Sequence, residues 1–553
     1  MQRLNKILTL ASILAFFSSS INAATIAGTL KGPDGTPFEG GFIQAQNTQT
    51  KITFIALSDS EGRYHVDGIP SGRYRLQARA VGYRSGDQDE VSLTADQTAS
   101  VNFALQKDRV RWSDLSIDQA RALLPAGHGK ELLFRDCFAC HGFQSRMAAV
   151  SRDLDGWKDR VQYMRDAMHF SLDFVTDQDA NELATYLDDA FGTEATVPRS
   201  PTELAGFQRT VLKLGSDASK IVYVEYEMPG PNRMPFSAAP GKDGCLWIPN
   251  FGSANKITRL DPKTGAMEDF LVPNVGTAAI HSALEAPDGS VWLTEQASNK
   301  LGRWDPHTKK ITEYLDPFEA GKEGVKEGGS KHTLRFDPRG NVWVTGEPLS
   351  RFDVETHKFT NYWETGHTYS LANDFKGDLW FTITGTPGQV VKMDWQTLKM
   401  TRYPVPTKDG LPRRIQIDSK GIIWFGEYNR GKIGRFDPQT EMFQEYDLPT
   451  GPLTHPYGLG IDERGDIWYS SYYFDVLGRL DPGTGKITQY PFPHSENTIR
   501  EFFLDTEGRM WYGSPSNNKV GYFYLTDGER GSARTQQTNG VSLANEARSL
   551  LTP

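Results

Sequence analysis

Hydrophobic and polar positions change their spacing along the 553-residue chain, and each change predicts a different kind of element. Residues 24–106 alternate apolar and polar side chains in short runs separated by Gly-containing turns, which is typical of half-buried strands. Residues 112–192 instead carry apolar residues three and four positions apart, which predicts helices. Ser116 and Thr176 are suitable N-caps and Gly192 a suitable helix stop. The chain therefore begins with a small β-sandwich and a small helical domain.

The longest part, residues 207–525, repeats a unit of about 44 residues. Each unit has a short apolar strand, a turn ending in Gly, and a strand with a tryptophan: Trp247, Trp292, Trp343, Trp380, Trp424, Trp468 and Trp511. The separations are 45, 51, 37, 44, 44 and 43 residues, which predicts a β-propeller of seven blades. The last unit has only three clear strands, so we expect residues 222–228 to supply the fourth strand and close the ring.

The two ends of the chain and one internal segment differ from these domains. Residues 1–23 have a basic start, a mostly apolar run and the candidate cleavage site Ile21-Asn22-Ala23, the layout of a secretory signal peptide. The run is shorter than the ~20 residues of a membrane span, so we expect a periplasmic protein with no transmembrane segment after cleavage. Residues 193–206 are predicted to be a linker, and residues 526–553 a polar, poorly ordered tail.

Charge and motifs argue against several classes of function. The formal net charge is −9 and no long run of Lys or Arg occurs, which argues against a nucleic-acid partner. Three cysteines cannot form a disulfide framework. The chain also has no dinucleotide-binding fingerprint or phosphate-binding loop, so nicotinamide and nucleotide chemistry are not expected.

Two of the three cysteines lie in the helical domain, in the motif Cys137-Phe138-Ala139-Cys140-His141. A zinc site needs two more ligands, and Cys245 lies over a hundred residues away in a propeller strand. A thioredoxin-like dithiol belongs near a βαβ pattern, whereas this segment is helical. Covalent haem accounts for every residue, because two thiols on one helical turn add to its vinyl groups and the adjacent His binds the iron. We therefore predict one c-type haem, attached at Cys137 and Cys140 with His141 as axial ligand.

This helical domain resembles a class I-like cytochrome c domain over about 80 residues. The resemblance implies a methionine as the second iron ligand, and the segment "GWKDRVQYM" favours Met164. Met168 is the second candidate, and Met147 and His169 are further ones. A thioether ligand raises the haem potential relative to two histidines, which suits an electron acceptor with a periplasmic electron-transfer partner.

Propellers bind ligands at the mouth of the central channel, where the innermost strands converge. Eight residues before each turn glycine, the chain has one side chain per blade, and six of the seven are polar or ionisable: Phe236, His281, His332, Tyr369, Arg413, Tyr457 and Arg500. We expect these seven residues, called the mouth ring below, to surround the axis. They either bind a small-molecule substrate that is anionic or phenolic, or they fill the channel with water between them. His65, His307, His357 and His494 are expected on the surface or in loops.

The propeller repeat, especially "HSALEAPDGSVWLTEQASNKLGRWDP" and "HPYGLGIDERGDIWYSS", resembles the virginiamycin B lyase (streptogramin lyase) family. These lyases open a cyclic depsipeptide by β-elimination, with a histidine base and a divalent metal near a glutamate and a second histidine. His281 and Glu295 match the His…Glu pair of one blade, but Phe236 stands where the second histidine should be, and His332 lies in the following blade. From the residues, His281 and Glu295 are candidates for a base and its orienting carboxylate, or, with His332, for a divalent metal site.

The sandwich has its own resemblance, to the carboxypeptidase regulatory-like (transthyretin-like) domain, on Gly28, Asp59, Gly62, Tyr64 and Tyr74 among other residues. This resemblance implies a binding or spacer role. The expected fold is therefore multidomain and mainly β: a β-sandwich, a small all-α cytochrome c domain and a seven-bladed β-propeller.

Three functions remain open from the sequence. The favoured one is an exported haem c oxidoreductase or electron-transfer protein whose propeller binds the substrate or the redox partner. The alternatives are a metal-dependent lyase with an accessory cytochrome domain and a non-enzymatic binding protein. The haem motif favours the first, because an eliminating lyase does not need a haem.

Overall fold

The computed structural model describes residues 23–86, 90–139, 141–167, 172, 174–213, 215–317 and 330–526. The predicted signal peptide up to residue 22, Cys140, Met168, His169 and the predicted tail from residue 527 lie outside the described residues. The described part is mainly β, with an N-terminal β domain, a small group of helices and a propeller. None of the helices in these ranges is long and apolar enough to span a membrane.

The N-terminal β domain has nine strands: β1 (Ala24–Lys31), β2 (Phe42–Asn47), β3 (Thr53–Leu57), β4 (Arg63–Ile69), β5 (Gly72–Ala80), β6 (Tyr83–Ser85), β7 (Val91–Leu93), β8 (Thr98–Ser100) and β9 (Phe103–Lys107). The central strand β2 pairs antiparallel with β3 and β5, and β1 pairs with β4, β8 and β9. On β5 the side chains of Tyr74, Leu76 and Ala78 are buried while the residues between them are exposed. This period of two confirms the predicted half-buried strands.

The helical domain has the helices α1 (Ile117–Leu123), α2 (His128–Asp136), α3 (Leu154–Ala167) and α4 (Asp177–Phe191). Both predicted N-caps are confirmed: the Ser116 hydroxyl accepts from the Gln119 backbone N–H at 3.3 Å, and the Thr176 hydroxyl accepts from the Asp179 N–H at 3.1 Å. Such a cap contributes about 1 kcal/mol to helix stability. Gly192 ends α4, as predicted.

The segment predicted as a linker packs against these helices. Val197 is buried in the hydrophobic core of the helical domain, and so is Phe207 just beyond the segment. The indole N–H of Trp112 also donates to the Pro198 carbonyl at 2.8 Å. The polar composition of residues 193–206 suggested a free spacer, but these few anchors are sufficient to fix it to the helices.

Six blades of the propeller are separate four-stranded antiparallel sheets. Blade 1 consists of β11 (Ala239–Pro240), β12 (Leu246–Pro249), β13 (Lys256–Leu260) and β14 (Met267–Leu271). Blade 2 consists of β15 (Ile280–Glu285), β16 (Val291–Glu295), β17 (Lys300–Trp304) and β18 (Ile311–Leu315). Blade 3 consists of β19 (Leu334–Phe336), β20 (Val342–Val344), β21 (Leu349–Asp353) and β22 (Lys358–Tyr362). Blade 4 consists of β23 (Thr368–Asn373), β24 (Leu379–Ile383), β25 (Gln389–Met393) and β26 (Met400–Pro404). Blade 5 consists of β27 (Pro412–Ile417), β28 (Ile423–Glu427), β29 (Lys432–Asp437) and β30 (Met442–Asp447). Blade 6 consists of β31 (Pro456–Ile461), β32 (Ile467–Ser471), β33 (Val476–Leu480) and β34 (Ile487–Pro491).

A further group of four strands, called blade 7, closes the ring: β35 (Phe502–Leu504), β36 (Met510–Ser514), β37 (Lys519–Leu525) and β10 (Ile221–Glu227). β10 pairs antiparallel with β37, with Ile221 opposite Leu525 and Glu227 opposite Lys519. This pairing confirms that the segment before the first blade supplies the missing outer strand. The innermost strands contact one another around the ring, including β35 with β11.

The outer edge of β10 pairs with the sandwich, which the sequence did not predict. Val222 lies opposite Ala56 of β3 and Glu225 opposite Thr53, so blade 7 and the sandwich share one 13-stranded sheet. His494 also lies at this junction, with its side chain 12% exposed and its Nε2 2.6 Å from a Glu225 oxygen. His494 lies in a loop, in agreement with the prediction of a surface or loop residue, but its side chain is mostly buried against the Glu225 carboxylate.

The tryptophan strands are held by a repeated turn. In blades 3 to 7 the indole N–H donates to an aspartate six residues earlier: Trp343 to Asp337, Trp380 to Asp374, Trp424 to Asp418, Trp468 to Asp462 and Trp511 to Asp505. The turn glycine between them has a φ between 73° and 86° in all seven blades, a region that other residues seldom adopt. This turn fixes the register of the first two strands and hence the position of the mouth ring.

The helical domain covers the end of the channel that carries the mouth ring. The Asp118 backbone N–H donates to the Tyr473 carbonyl at 2.9 Å, and the Ser145 N–H donates to the Glu496 carboxylate at 3.0 Å. Tyr457, a member of the mouth ring, belongs to the same hydrophobic cluster as the core of the helical domain. The predicted haem motif and the predicted propeller site therefore face each other.

Candidate functional site

One cavity of the helical domain brings together four of the residues predicted to attach or ligate the haem. This inner cavity encloses about 720 Å³ of space that protein atoms do not fill, part of it open to solvent. Cys137, His141 and Met164 line it, as does Met147, and much of the remaining wall is apolar: Val161, Leu172, Val175, Leu183 and Leu187. Residues far apart along the chain thus surround one space of low polarity. Cys140, Met168 and His169, the other predicted ligands, lie outside the described residues.

The imidazole of His141 is held in one orientation at the edge of this cavity. The residue is 6% exposed, and its Nδ1 lies 2.7 Å from the Gly142 carbonyl oxygen. Because a carbonyl only accepts, Nδ1 carries the proton and Nε2 keeps its lone pair. Burial, and then the positive charge of Arg146, lower the pKa of His141 to about 3. The side chain is therefore a neutral imidazole, the form that binds metals.

The inner cavity also has polar groups without a hydrogen-bond partner among the described residues. Trp157 Nε1 and Arg146 Nε are both buried and unpaired in this part of the chain, and both residues line the cavity. Buried donors nearly always have a partner, so unpaired donors beside an apolar space indicate a ligand that carries acceptors. The donor set suits an apolar molecule with acidic groups.

A second space, the outer cavity, lies between the helical domain and blades 1 and 2. It encloses about 800 Å³, open in part to solvent. It shares a wall with the inner cavity, formed by His141, Arg146, Arg160 and Met164. The propeller supplies the opposite wall: Asn232, Met234, Phe251, Gly252, Ser253, Thr277 and Ala279. The candidate haem pocket is thus next to a space that the propeller closes.

The structure brings the seven mouth-ring side chains together, and one half of the ring is a stack of aromatic rings. Phe236 and His281 have ring centroids 5.1 Å apart, His281 and His332 3.7 Å, and His332 and Tyr369 4.5 Å. Burial lowers the pKa of both histidines well below the usual value, with further lowering of His281 by His332 and of His332 by Arg414. Neutral imidazoles can stack at this distance, whereas two imidazolium ions would repel each other.

The other half of the ring consists of arginines over tyrosines. The guanidinium of Arg500 lies 4.4 Å from the Tyr457 ring centroid and 5.2 Å from that of Phe236, which closes the ring. Arg413 lies 4.8 Å from the Tyr457 centroid, and the Tyr369 and Tyr457 hydroxyls are hydrogen bonded to each other. Burial raises the pKa of Tyr457, but Arg500 and Arg413 outweigh it and lower the pKa to about 8. Side chains in mutual contact therefore occupy this end of the channel.

Beneath the ring lies a buried arginine that the sequence analysis missed. Arg414 Nε donates to the Arg500 carbonyl at 2.7 Å and its Nη1 to the Thr333 hydroxyl at 2.8 Å. A carboxylate oxygen of Glu501 lies 3.8 Å from Arg414 and another 3.0 Å from Arg335. The only signal was that Arg414 directly follows Arg413, the residue already assigned to the ring, in strand β27.

Glu295 does not join His281, although the sequence placed both in one site. Glu295 lies opposite Ile280 across β15 and β16, so the pleat directs it away from the neighbouring His281. It accepts from the Ser298 hydroxyl at 3.0 Å, and burial, together with Glu313, raises its pKa to about 8. No three His, Cys, Asp or Glu side chains in the described ranges are grouped so that they could hold a metal. The described residues therefore offer no ligand set for the divalent metal expected at His281, Glu295 and His332.

Two family models match the chain. The Virginiamycin B lyase family model matches residues 352–538, and the carboxypeptidase regulatory-like domain model matches residues 25–106. The comparison with curated proteins found no match.

Similar solved structures include a streptogramin B lyase, which is 22% identical with a TM-score of 0.50; the match covers 56% of this chain and 100% of that chain. A selenomethionine-substituted virginiamycin B lyase from Staphylococcus aureus is also 22% identical, with a TM-score of 0.49, over 55% of this chain and 99% of that one. At this identity the likeness shows the propeller fold. The sandwich and the propeller therefore have the similarity that the sequence predicted.

Proposed function

We propose that this protein is an exported, periplasmic haem c protein that transfers single electrons, with the covered face of the propeller binding the substrate or the redox partner. The observation that carries the proposal is the inner cavity, which places Cys137, His141 and Met164 around one apolar space. A motif of five residues can occur by chance, but a cavity that also contains a separate methionine is harder to explain without a ligand.

The described residues of the cavity are of the kinds that hold a haem c. Cys137, together with Cys140 of the motif, would attach it, and His141 would present Nε2 to the iron. Met164 would supply a second ligand to the iron, with Met168 as the second candidate. The Trp157 N–H, which has no partner in the described structure, would donate to one of its acidic groups.

A bound haem c supplies a one-electron couple whose potential depends on its axial ligands, its hydrogen bonds and its exposure to water. The chain's own residues set these conditions. The Gly142 carbonyl fixes the tautomer and the orientation of His141. Apolar side chains of α3 and α4, including Val161 and Leu187, keep water from one side of the cavity.

The arrangement of the domains supports a role for the propeller in the same reaction. Phe251 lines the outer cavity, and its ring stacks on Phe236 of the mouth ring at 4.1 Å. Phe236 in turn contacts His281. The outer cavity thus lies between the proposed haem pocket and the mouth ring, where a bound compound would contact both.

The proposal is tested by counting haem and metals in the full-length protein, produced with export and haem attachment and purified without air. We expect one haem iron per chain and a reduced-minus-oxidised spectrum of a c-type cytochrome. Cys137→Ala should lower the covalent haem content, whereas the matched change Cys245→Ala in blade 1 should not. A wild-type protein without covalent haem would refute the proposal.

The second candidate function is a lyase of the virginiamycin B lyase type. The family match over residues 352–538 favours it, as does the buried, neutral His281, a candidate base. The test is ring opening of a cyclic depsipeptide by wild type, Cys137→Ala and His281→Ala. Turnover that persists in Cys137→Ala but disappears in His281→Ala would establish the lyase, and the absence of turnover in wild type would exclude it for that substrate.

A further inference from the structure

The outer cavity contains two arginines whose charge nothing in the described chain compensates. Arg146 and Arg160 both line it, and neither forms an ion pair with a described carboxylate. The lining, as far as the structure describes it, includes no Asp or Glu, although the chain has 69 acidic residues against 60 basic ones. Burial and the neighbouring Arg146 lower the pKa of Arg160, which indicates that the two charges repel each other.

Two other poorly exposed cations of this protein have acidic partners. Arg233 lies 2.7 Å from Asp269, and Lys331 lies 2.5 Å from Asp316. This pairing is expected, because a charge withdrawn from water is costly unless an opposite charge compensates it. Arg413, which also has no carboxylate partner among the described residues, lies over the Tyr428 ring, 3.6 Å from its centroid. Arg146 and Arg160 instead line a cavity of about 800 Å³, where a bound anion would compensate their charge.

The rest of the wall indicates what kind of anion would fit. Met164, Met234 and Phe251 present apolar surface, and Ser253 and Thr277 offer hydroxyl groups. The Arg160 guanidinium itself lies 4.7 Å from the ring centroid of Tyr163, which fixes its plane. An inorganic anion would use only the arginines and the hydroxyl groups, whereas an organic acid with an apolar or aromatic body would also use the apolar surface.

We propose that the outer cavity binds a small organic acid, with its carboxylate on Arg146 and Arg160 and its apolar body against Met234 and Phe251. The redox role of this compound, as the substrate at the haem edge, rests on the proposed function; its binding does not. The mouth ring then supports Phe251 by packing against it through Phe236. The loops of blades 1 and 2 contribute the specificity for the bound acid.

The test is calorimetric titration of the purified full-length protein with benzoate and with benzamide, a neutral molecule of the same shape. We expect benzoate to bind and benzamide to bind at least about tenfold more weakly. Arg160→Gln should weaken benzoate about ten- to a hundredfold, since it removes a charge-assisted hydrogen bond. Arg160→Lys should restore part of the loss. Arg209→Gln, which removes an exposed charge of the same domain, should bind benzoate like wild type.

Haem content is measured on the same samples, so that the two proposals can fail separately. Haem-loaded wild type that does not bind benzoate would overturn this inference, because the acidic groups of the haem would then already neutralise both arginines. Equal affinities for benzoate and benzamide, or an unchanged affinity in Arg160→Gln, would overturn it as well. Protein without haem would refute the proposed function, while its benzoate titration would still decide the anion site.

Discussion

Replacing Glu225 by Gln removes the charge at the junction between the sandwich and the propeller. The Glu225 side chain is 1% exposed on β10, the strand that belongs to both. Its carboxylate lies 2.6 Å from His494 Nε2 and 3.7 Å from Lys519 Nζ, and it accepts from the Tyr512 hydroxyl at 3.1 Å. If these contacts hold the two domains together, the substitution should open β10 on both sides.

The size of the effect follows from the pKa of Glu225. Burial alone would raise the pKa, but the interactions of the carboxylate with His494, with Lys519 and with the Tyr512 hydroxyl outweigh it and lower the pKa from 4.5 to about 2. At ~1.4 kcal/mol per pKa unit, this corresponds to roughly 3 kcal/mol of stability. Because the folded-state pKa is depressed, the stabilisation is complete above pH 4.5 and is lost as the pH falls towards about 2.

Hydrogen exchange of the amides in residues 221–227, followed by mass spectrometry, measures this opening directly. At pH 7 the Glu225→Gln variant should exchange roughly 100-fold faster than wild type there and in β3, and the ratio should fall to about tenfold at pH 3. Glu39→Gln, an exposed change in the sandwich, should leave the exchange of β10 unaltered. Equal exchange of Glu225→Gln and wild type at pH 7, or a ratio that does not depend on pH, would refute this reasoning.

Three further results are expected. In a redox titration, Met164→Ala should lower the midpoint potential of the proposed haem by on the order of 100 mV. Met168→Ala should leave the potential unchanged, and the reverse result would assign the ligand to Met168. In ultraviolet difference spectra the wild type should show a phenol that ionises near pH 8, because Arg500 and Arg413 outweigh the effect of burial on the pKa of Tyr457. Tyr457→Phe should remove this ionisation, and an unchanged titration would contradict the assignment. Burial and Glu445 raise the pKa of Glu427 to about 8, so the wild type should lose stability as the pH rises from 4.5 to 8. In urea unfolding, the free energy of unfolding of Glu427→Gln should rise relative to that of wild type by up to roughly 1 kcal/mol per pH unit between pH 4.5 and 8. The same difference between the two proteins at pH 5 and at pH 8 would refute the effect.

Features that depend on local sequence were predictable. The turn glycines and the tryptophans recur with a regular period, and this period places one ring residue in each blade because each turn has the same geometry. The closing strand was predictable for the same reason, since the repeat is complete only if the chain before blade 1 joins β37. Ser116 and Thr176 were recognisable because a cap needs only a side chain and an amide three residues later.

Features that depend on contacts between distant segments were not predictable. Nothing in the alternation of β10 indicates that its free edge pairs with β3, because edge pairing uses backbone groups that every residue has. Glu295 was assigned to His281 from their spacing alone, although the pleat of β15 and β16 separates their side chains. The outer cavity was also beyond sequence analysis, because its walls come from two domains whose relative position no local pattern specifies.

The central claim is that the helical domain carries one covalent haem at Cys137 and Cys140, and the mass of the denatured chain tests it most directly. Full-length protein from cells that attach haem c should, after unfolding in acid, retain the added mass of one haem. The variant in which both cysteines are replaced by Ala should have the mass of the bare polypeptide. A wild-type chain that unfolds to the bare polypeptide mass would contradict the account.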